Sequence, residues 1–278
     1  MFITKNPACA YKIFKRFSLL IFSLITGLTG ACCQTAMNSA ESTPALKKYV
    51  CHRVVGKIAI DGKLDEDAWT AASPLWNFWR YVNPDIPSSY ADGHPGPAAS
   101  LTNARMLWDD NFLYIAAEMK DYDLYATIAE HDAATWHNDT FEIFLRPNEA
   151  SPGYYEFHVT PINTTLDLFL PRRNARQFND SRKFESAITT AVQIQGTINN
   201  PDDKDSGWSI EMRIPFSSIM GGCPSVGEEW RFSVCRYDYS KYLPDTYAYG
   251  YELSSSSRNL TLSGFHHIER YDILLFMK

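Results

Sequence analysis

Long hydrophobic runs are scarce in this 278-residue chain. The one sustained apolar stretch, residues 17–28, is about a dozen residues, short of the roughly 20 that a helix needs to cross a bilayer. That length argues against a permanent membrane span. Basic charge is also short: 26 Lys and Arg stand against 32 Asp and Glu, for a formal net charge of −6. Such a balance gives no positive field for a polyanion, so nucleic acid is not an expected partner. Cysteine is limited to six residues, none paired as C-x-x-C, which removes the usual sign of a zinc ribbon or a thioredoxin-like site. Long helical periodicity, internal repeats and low-complexity tracts are missing too. Short alternating segments are left as the organising pattern.

The first thirty or so residues carry the signs of an address. Lys12, Lys15 and Arg16 form a positive flank, the apolar stretch follows, and Thr29-Gly30-Ala31 places small residues before Cys32. This order predicts a signal peptide over residues 1–32. Thr29-Gly30-Ala31-Cys32 resembles a bacterial lipobox, although Thr29 stands where Leu is usual. The resemblance implies lipidation at Cys32, export, and anchoring to the outer membrane through the lipid alone; ordinary cleavage near Ala31 is the alternative. Residues 33–47, rich in Ser, Thr, Ala and Pro, suit a flexible tether. Residues 48–278 then make one large all-β domain, expected to act as a monomer. In an exported compartment Cys51, Cys223 or Cys235 can enter a disulfide, and the sequence does not say which.

Aromatic residues make up 14% of the chain, enough for a core with some left for a surface. Two β-rich runs, residues 104–108 and 112–119, flank Asp109-Asp110-Asn111 and predict a tight hairpin. Phe141, Ile143 and Leu145 alternate with Thr140, Glu142 and Arg146; Tyr155, Phe157 and Val159 alternate with Glu156 and His158. Residues 208–214 and 230–236 repeat the pattern, and each run predicts a half-buried strand. Further strands are expected at 54–60, 166–170, 188–195, 247–253 and 273–276. Helix is confined to residues 65–72, with an acidic first turn, and to 216–220 after Pro215. Residues 84–99 form a long Pro, Gly and Ser loop. The expected fold is an antiparallel β-sandwich of jelly-roll or DOMON-like type with one or two short helices.

Several segments occur together in a recognisable order. They are Ile60-Asp61-Gly62-Lys63-Leu64-Asp65-Glu66-Asp67-Ala68-Trp69, Leu107-Trp108-Asp109-Asp110-Asn111-Phe112-Leu113-Tyr114-Ile115, Trp136-His137-Asn138-Asp139-Thr140-Phe141-Glu142, Gly207-Trp208-Ser209-Ile210-Glu211 and Phe265-His266-His267. This series resembles the family 9 carbohydrate-binding modules, which have relatives among DOMON-like sandwiches. The resemblance implies a sugar held between two aromatic rings, with charged and amide groups on its hydroxyls. Trp136 matches the first platform and Glu142 the carboxylate. Phe265 stands at the second platform, where members of known binding carry Trp, and His158 stands where such members can carry Arg.

A pyranose offers apolar C–H faces and a fringe of hydroxyls, so aromatic planes cover the faces while ionised groups take the hydroxyls. Trp136 and Phe265 are therefore expected to stack, and Glu142, Asn138 and His158 to orient. Arg236 falls on the apolar row with Phe232 and Val234, where a guanidinium must be paired or line a cavity. It joins the candidate sugar contacts, with a structural ion pair as its equal alternative. No cofactor is expected. A structural calcium is admitted at Asp121 with Asp123, or at Asp202, Asp203 and Asp205, because some family members bind it. The leading expectation is a non-catalytic lipoprotein that binds mono- or oligosaccharides in support of polysaccharide breakdown or uptake. Two others stand beside it: a glycoside hydrolase, for which the sequence displays no clear carboxylate pair, and a haem sandwich using His158 with Met119 or Met212.

Overall fold

The turn at Asp109 illustrates how locally this fold is specified. Its Oδ1 accepts the backbone N–H of Asn111 at 2.7 Å and of Phe112 at 2.8 Å, and its Oδ2 accepts the Tyr114 hydroxyl at 2.8 Å. An Asx-type closure of this kind folds the chain back on itself. The hairpin it creates pairs Thr102–Trp108 with Phe112–Lys120, in register from Thr102 with Met119 to Trp108 with Leu113. This is the hairpin expected from sequence.

The computed structural model describes residues 45–81, 96–173, 181–244, 250–260 and 264–278. The signal segment, Cys32, most of the tether and most of the 84–99 loop lie outside the described residues. Among the described residues, twelve strands form one sheet: β1 (Lys48–Arg53), β2 (Trp79–Arg80), β3 (Thr102–Trp108), β4 (Phe112–Lys120), β5 (Thr140–Arg146), β6 (Tyr154–Val159), β7 (Thr165–Leu170), β8 (Thr189–Gln195), β9 (Gly207–Pro215), β10 (Glu229–Tyr239), β11 (Tyr251–Ser255) and β12 (Asp272–Met277). The main order is β7-β6-β5-β10-β12-β1-β3-β4-β9-β8, with β11 and β2 branching from β10. The sheet curls so that its inner faces enclose one core, which runs from Tyr49 and Trp108 through Ile143, Phe157 and Met212 to Trp230 and Phe276. The all-β sandwich class therefore holds. Most pairings are antiparallel, but β1 runs parallel to both β12 and β3.

Three local expectations change. No strand covers residues 54–60; instead Val54, Ile58 and Ile60 pack with the short helix α1 (Asp67–Ala71) against Leu107, Tyr114 and Ala116 on the outer face of the sheet. Glu211 on β9 pins this cover by accepting Trp69 Nε1–H at 2.7 Å and the N–H groups of Asp61 and Gly62 at 2.9 Å each. The helix expected at 216–220 shortens to a 3-10 turn over Phe216–Ser218. Cys51, Cys223 and Cys235 are all free, the first and last buried in separate clusters on opposite sides of the sheet, so no disulfide joins them.

β5 and β6 were expected to be half-buried, yet both faces are covered. One face meets the main core. On the other lie Phe144, Tyr154, Leu166, Leu168 and Leu170, roofed by Leu260, Phe265, Ile268 and Tyr271 from the segment ahead of β12. That roof creates an enclosed polar floor.

Candidate functional site

The pleat decides what this floor contains. Side chains two apart share a face, so Glu142 and Phe144 on β5, Glu156 and His158 on β6, and Cys235 and Tyr237 on β10 all point under the roof. The pairings Glu142 with His158 and Glu142 with Cys235 fix their register. Of these, Glu142, Phe144, Glu156 and Tyr237 join Trp136, Tyr154, Leu253, Phe265 and His266 in lining a cavity of about 490 Å³. That is inside the roughly 300–1,000 Å³ of small-ligand pockets.

His158 is wholly buried beneath the cavity. Its Nδ1 meets Thr135 Oγ1 at 2.8 Å, and its Nε2 lies 2.7 Å from Glu156 Oε1 and 3.2 Å from Glu142 Oε1. Burial drives the Glu142 carboxyl up to about 8, with repulsion from Glu156 adding to the rise and His158 opposing it. Burial also pushes Glu156 upward, but the His158 hydrogen bond and the charge of His266 outweigh it and hold this carboxyl below its ordinary value. For His158, burial disfavours the charged form, yet the two carboxylates prevail and its pKa is raised. Glu156 thus favours its charged form against His158, beside a Glu142 carboxyl that keeps its proton up to about 8. Oε2 of Glu142 and Oε2 of Glu156 are buried without a hydrogen-bond partner. These oxygens are available to ligand hydroxyls, and an unmade bond at each is costly.

Trp136 sits in a 3-10 turn, Thr135–His137, just ahead of β5. Its ring is half-buried, and its carbonyl accepts the Tyr239 hydroxyl at 2.8 Å. Phe265 is buried, held by Tyr81 at 6.0 Å, Phe144 at 6.3 Å and Tyr237 at 5.9 Å between ring centroids. Trp136, Glu142 and Phe265, three of the six side chains singled out in the sequence, therefore line one cavity, and His158 supports it from below.

Asn138 and Arg236 do not line it. Asn138 is buried, with its Oδ1 accepting the N–H groups of Thr127 and Ile128 and its Nδ2 donating to the His137 carbonyl; it shapes the loop that carries Trp136. Arg236 lies on the opposite face of β10 from Tyr237, as its place in the apolar row required. It is fully buried, 3.0 Å from Asp121 Oδ2 and 3.3 Å from Asp238 Oδ2, and donates to the carbonyls of Leu101 and Lys120. Of its two readings, the geometry has the ion pair.

Ligating atoms of Asp121, Asp139 and Asp238 come within 4.8 Å of one another around this guanidinium. Calcium fits poorly there. Both oxygens of Asp139 hold backbone amides, of Tyr125 at 2.6 Å and Tyr239 at 2.7 Å, and Arg236 already supplies the positive charge. Asp123 turns to the Lys241 N–H, and both oxygens of Asp205 take amides, of Leu124 and Thr197. The expected oxygen cage of six to eight ligands is not assembled at either place among the described residues. A haem ligand is equally ill-placed: both nitrogens of His158 are engaged, and Met119 and Met212 lie in the core across the sheet.

Sequence reasoning missed Glu156, Tyr154, Tyr237 and His266 as cavity residues. Glu156 carried a signal, since it shares the polar row with His158. His266 carried another, beside Phe265; its Nδ1 is 2.8 Å from the Tyr154 hydroxyl. Tyr237 and Leu253 carried none, because they come from strands distant in sequence. A larger groove of about 660 Å³ lies over β3, β4 and β9, with Trp76, Leu101 and Glu118 on its walls. It contains none of the six candidates and no buried ionisable cluster, so the smaller cavity is the better candidate.

Comparison with known proteins supplies the context for this geometry. A family model described as "Carbohydrate family 9 binding domain-like" matches residues 60–248. The exoglucanase XynX of Acetivibrio thermocellus is 26% identical over 173 residues, covering 61% of this chain and 12% of that protein. Endo-1,4-beta-xylanase A of Thermoanaerobacterium saccharolyticum is 27% identical over 177 residues, covering 63% and 12%. The chain thus spans about an eighth of the length of these relatives. Among solved structures, a carbohydrate-binding module of family 9 from Caldicellulosiruptor kristjanssonii in complex with cellotriose superposes with a TM-score of 0.51 at 17% identity, covering 83% of this chain and 94% of that one. A putative carbohydrate-binding protein from Bacteroides uniformis superposes with a TM-score of 0.62 at 14% identity, covering 84% and 100%.

Proposed function

We propose, starting from the fact that this chain belongs to the carbohydrate family 9 binding domain-like family, that the cavity beside Trp136 binds a mono- or oligosaccharide without cleaving it. The observation that carries this reading is the meeting, in one cavity, of a half-buried indole, a second aromatic ring and two carboxyl groups with unpartnered oxygens. Trp136 covers one sugar face and Phe265 closes the other side. Neutral Glu142 donates through Oε2 while ionised Glu156 accepts. The complexes of related modules with cellotriose and with glucose make gluco-configured sugars the first ligands to try.

Calorimetric titration with glucose, cellotriose and xylo-oligosaccharides tests the proposal. Covering one aromatic face contributes about 1.5–3 kcal/mol, so Trp136→Ala is expected to weaken binding roughly 10- to 100-fold. No heat with any sugar from folded protein, or binding unaltered in the variant, overturns it.

Hydrolysis is the second reading, because Glu142 and Glu156 offer ligating atoms within 4.8 Å of each other. Glycosidase carboxyls flank the scissile bond, about 5–9.5 Å apart. These two project side by side from neighbouring strands onto one wall and share a histidine, which suits binding better than attack. Release of reducing sugar that disappears in Glu156→Gln would favour hydrolysis instead.

The same proposal makes residues 1–32 a lipoprotein signal and residues 33–47 a tether. It puts the domain at the outer membrane, serving polysaccharide breakdown or uptake. Support comes from the residue pattern ending in Cys32. Cys32→Ser is expected to abolish incorporation of labelled palmitate; undiminished labelling would remove this part of the proposal.

A further inference from the structure

A second ionisable cluster lies on the other side of β7 from the cavity. Asp167 alternates with Leu166 and Leu168, so it points away from the roofed floor at the edge strand of the sheet. There it meets His131 from the β4–β5 connection and Glu185 from the stretch ahead of β8. His131 Nε2 is 3.5 Å from Asp132 Oδ1, 3.6 Å from Glu185 Oε2 and 3.8 Å from Asp167 Oδ1. The ligating atoms of His131, Asp167 and Glu185 all fall within 4.8 Å of one another.

These separations exceed the roughly 2.7–3.2 Å of a good hydrogen bond. They lie close to the edges of a coordination shell: ligands at 2.0–2.2 Å from a tetrahedral zinc are about 3.3–3.6 Å apart, a range that Asp132 and Glu185 meet and that Asp167 slightly exceeds. The imidazole also has a partner that suits the ligating tautomer. Its Nδ1 lies 3.0 Å from both the carbonyl and the hydroxyl of Thr165; with Nδ1–H donated to the carbonyl, Nε2 turns its lone pair to the carboxylates. Asp167 adds an independent observation. It is 2% exposed, and its Oδ2 holds the Ser186 N–H at 2.6 Å, while Oδ1 faces the imidazole and accepts no hydrogen bond among the described residues. A carboxylate so nearly buried, with one oxygen given to an amide and the other to no donor, presents that second oxygen to a cation.

We propose that His131, Asp167 and Glu185, with Asp132 alongside, form a binding site for a divalent first-row transition metal, zinc before others. Three carboxylates alone would suit calcium; the oriented imidazole selects the softer ions. The bound ion staples the β4–β5 connection and the segment ahead of β8 to the edge strand, covering an edge that otherwise offers unpaired backbone groups. The site is separate from the sugar cavity, and its test needs no sugar.

Tag-free protein, stripped with chelator and dialysed, is titrated calorimetrically with zinc chloride and with calcium chloride at neutral pH. One zinc per chain is expected, bound more tightly than calcium. Removing an outer-shell partner of a metal site costs 10- to 100-fold in affinity, so losing a direct ligand should cost at least about tenfold. His131→Ala and Glu185→Gln are the variants, both at exposed side chains, so the fold survives and circular dichroism verifies it. Absence of saturable zinc binding overturns the site. So does affinity unchanged in either variant, or calcium binding that equals zinc and survives His131→Ala.

Discussion

At Glu142 a single proton links stability to binding. In the unfolded chain this carboxyl ionises near its ordinary value of 4.5, and in the folded chain near 8. Below the lower value it is protonated in both states. Between the two, the folded chain keeps a proton that the unfolded chain has released, so stability falls as pH rises through this window and levels off above it. The raised pKa of His158 acts in the same direction, its contribution being present below 6.5 and lost as pH climbs past the folded value. Glu142→Gln imitates the protonated acid and removes the Glu142 share of this slope. Its urea midpoint is expected to vary less between pH 5 and 8.5 than that of the parent, and sugar binding at pH 6 is expected to persist. Parallel pH profiles for the two proteins would contradict the assignment. The sequence marked Glu142 and His158 through alternation and resemblance, but it could not show that they touch, because the contact depends on register between β5 and β6.

Between elements, the tightest join is that of β4 and β9. Gly207 opens β9 at φ 144°, and a Cβ there would come within 2.3 Å of the Met119 carbonyl oxygen. Only glycine allows both the dihedral and the approach. Gly207→Ala is therefore expected to destabilise the protein by about 2–4 kcal/mol in urea unfolding, through strain and crowding together; a midpoint equal to the parent's would contradict it. Local elements such as the Asp109 hairpin and the alternation in β5, β6, β9 and β10 were legible because their periods and turn residues are written within a few positions. Residues 54–60 misled for a physical reason. Val54, Ile58 and Ile60 do bury their side chains, but as a cover held by Glu211 and without strand pairing. Burial on both faces of β5 and β6 was not legible either, since Phe265 and Tyr271, which roof them, lie more than a hundred residues away in sequence. For the same reason Arg236 carried two readings until its partners Asp121 and Asp238 were in place.

For the molecule as a whole, the sheet order sets a dependence on its last strand. β7, β6, β5 and β10 form one run and β1, β3, β4, β9 and β8 another, and β12 joins them by pairing antiparallel with β10 and parallel with β1. A chain cut after Tyr271 retains both runs but loses the ladder between them, together with Leu274 and Phe276 from the core. Such a chain is expected to show no cooperative thermal transition by near-ultraviolet circular dichroism, whereas a sharp transition near the parent's would contradict the account. Non-local pairing of this kind also closes slowly, on the millisecond to second scale typical of β-sandwiches. The strand that joins the two runs comes after both of them in the sequence. Until β12 has been synthesised the two runs have no ladder to each other, and the polypeptide remains threadable.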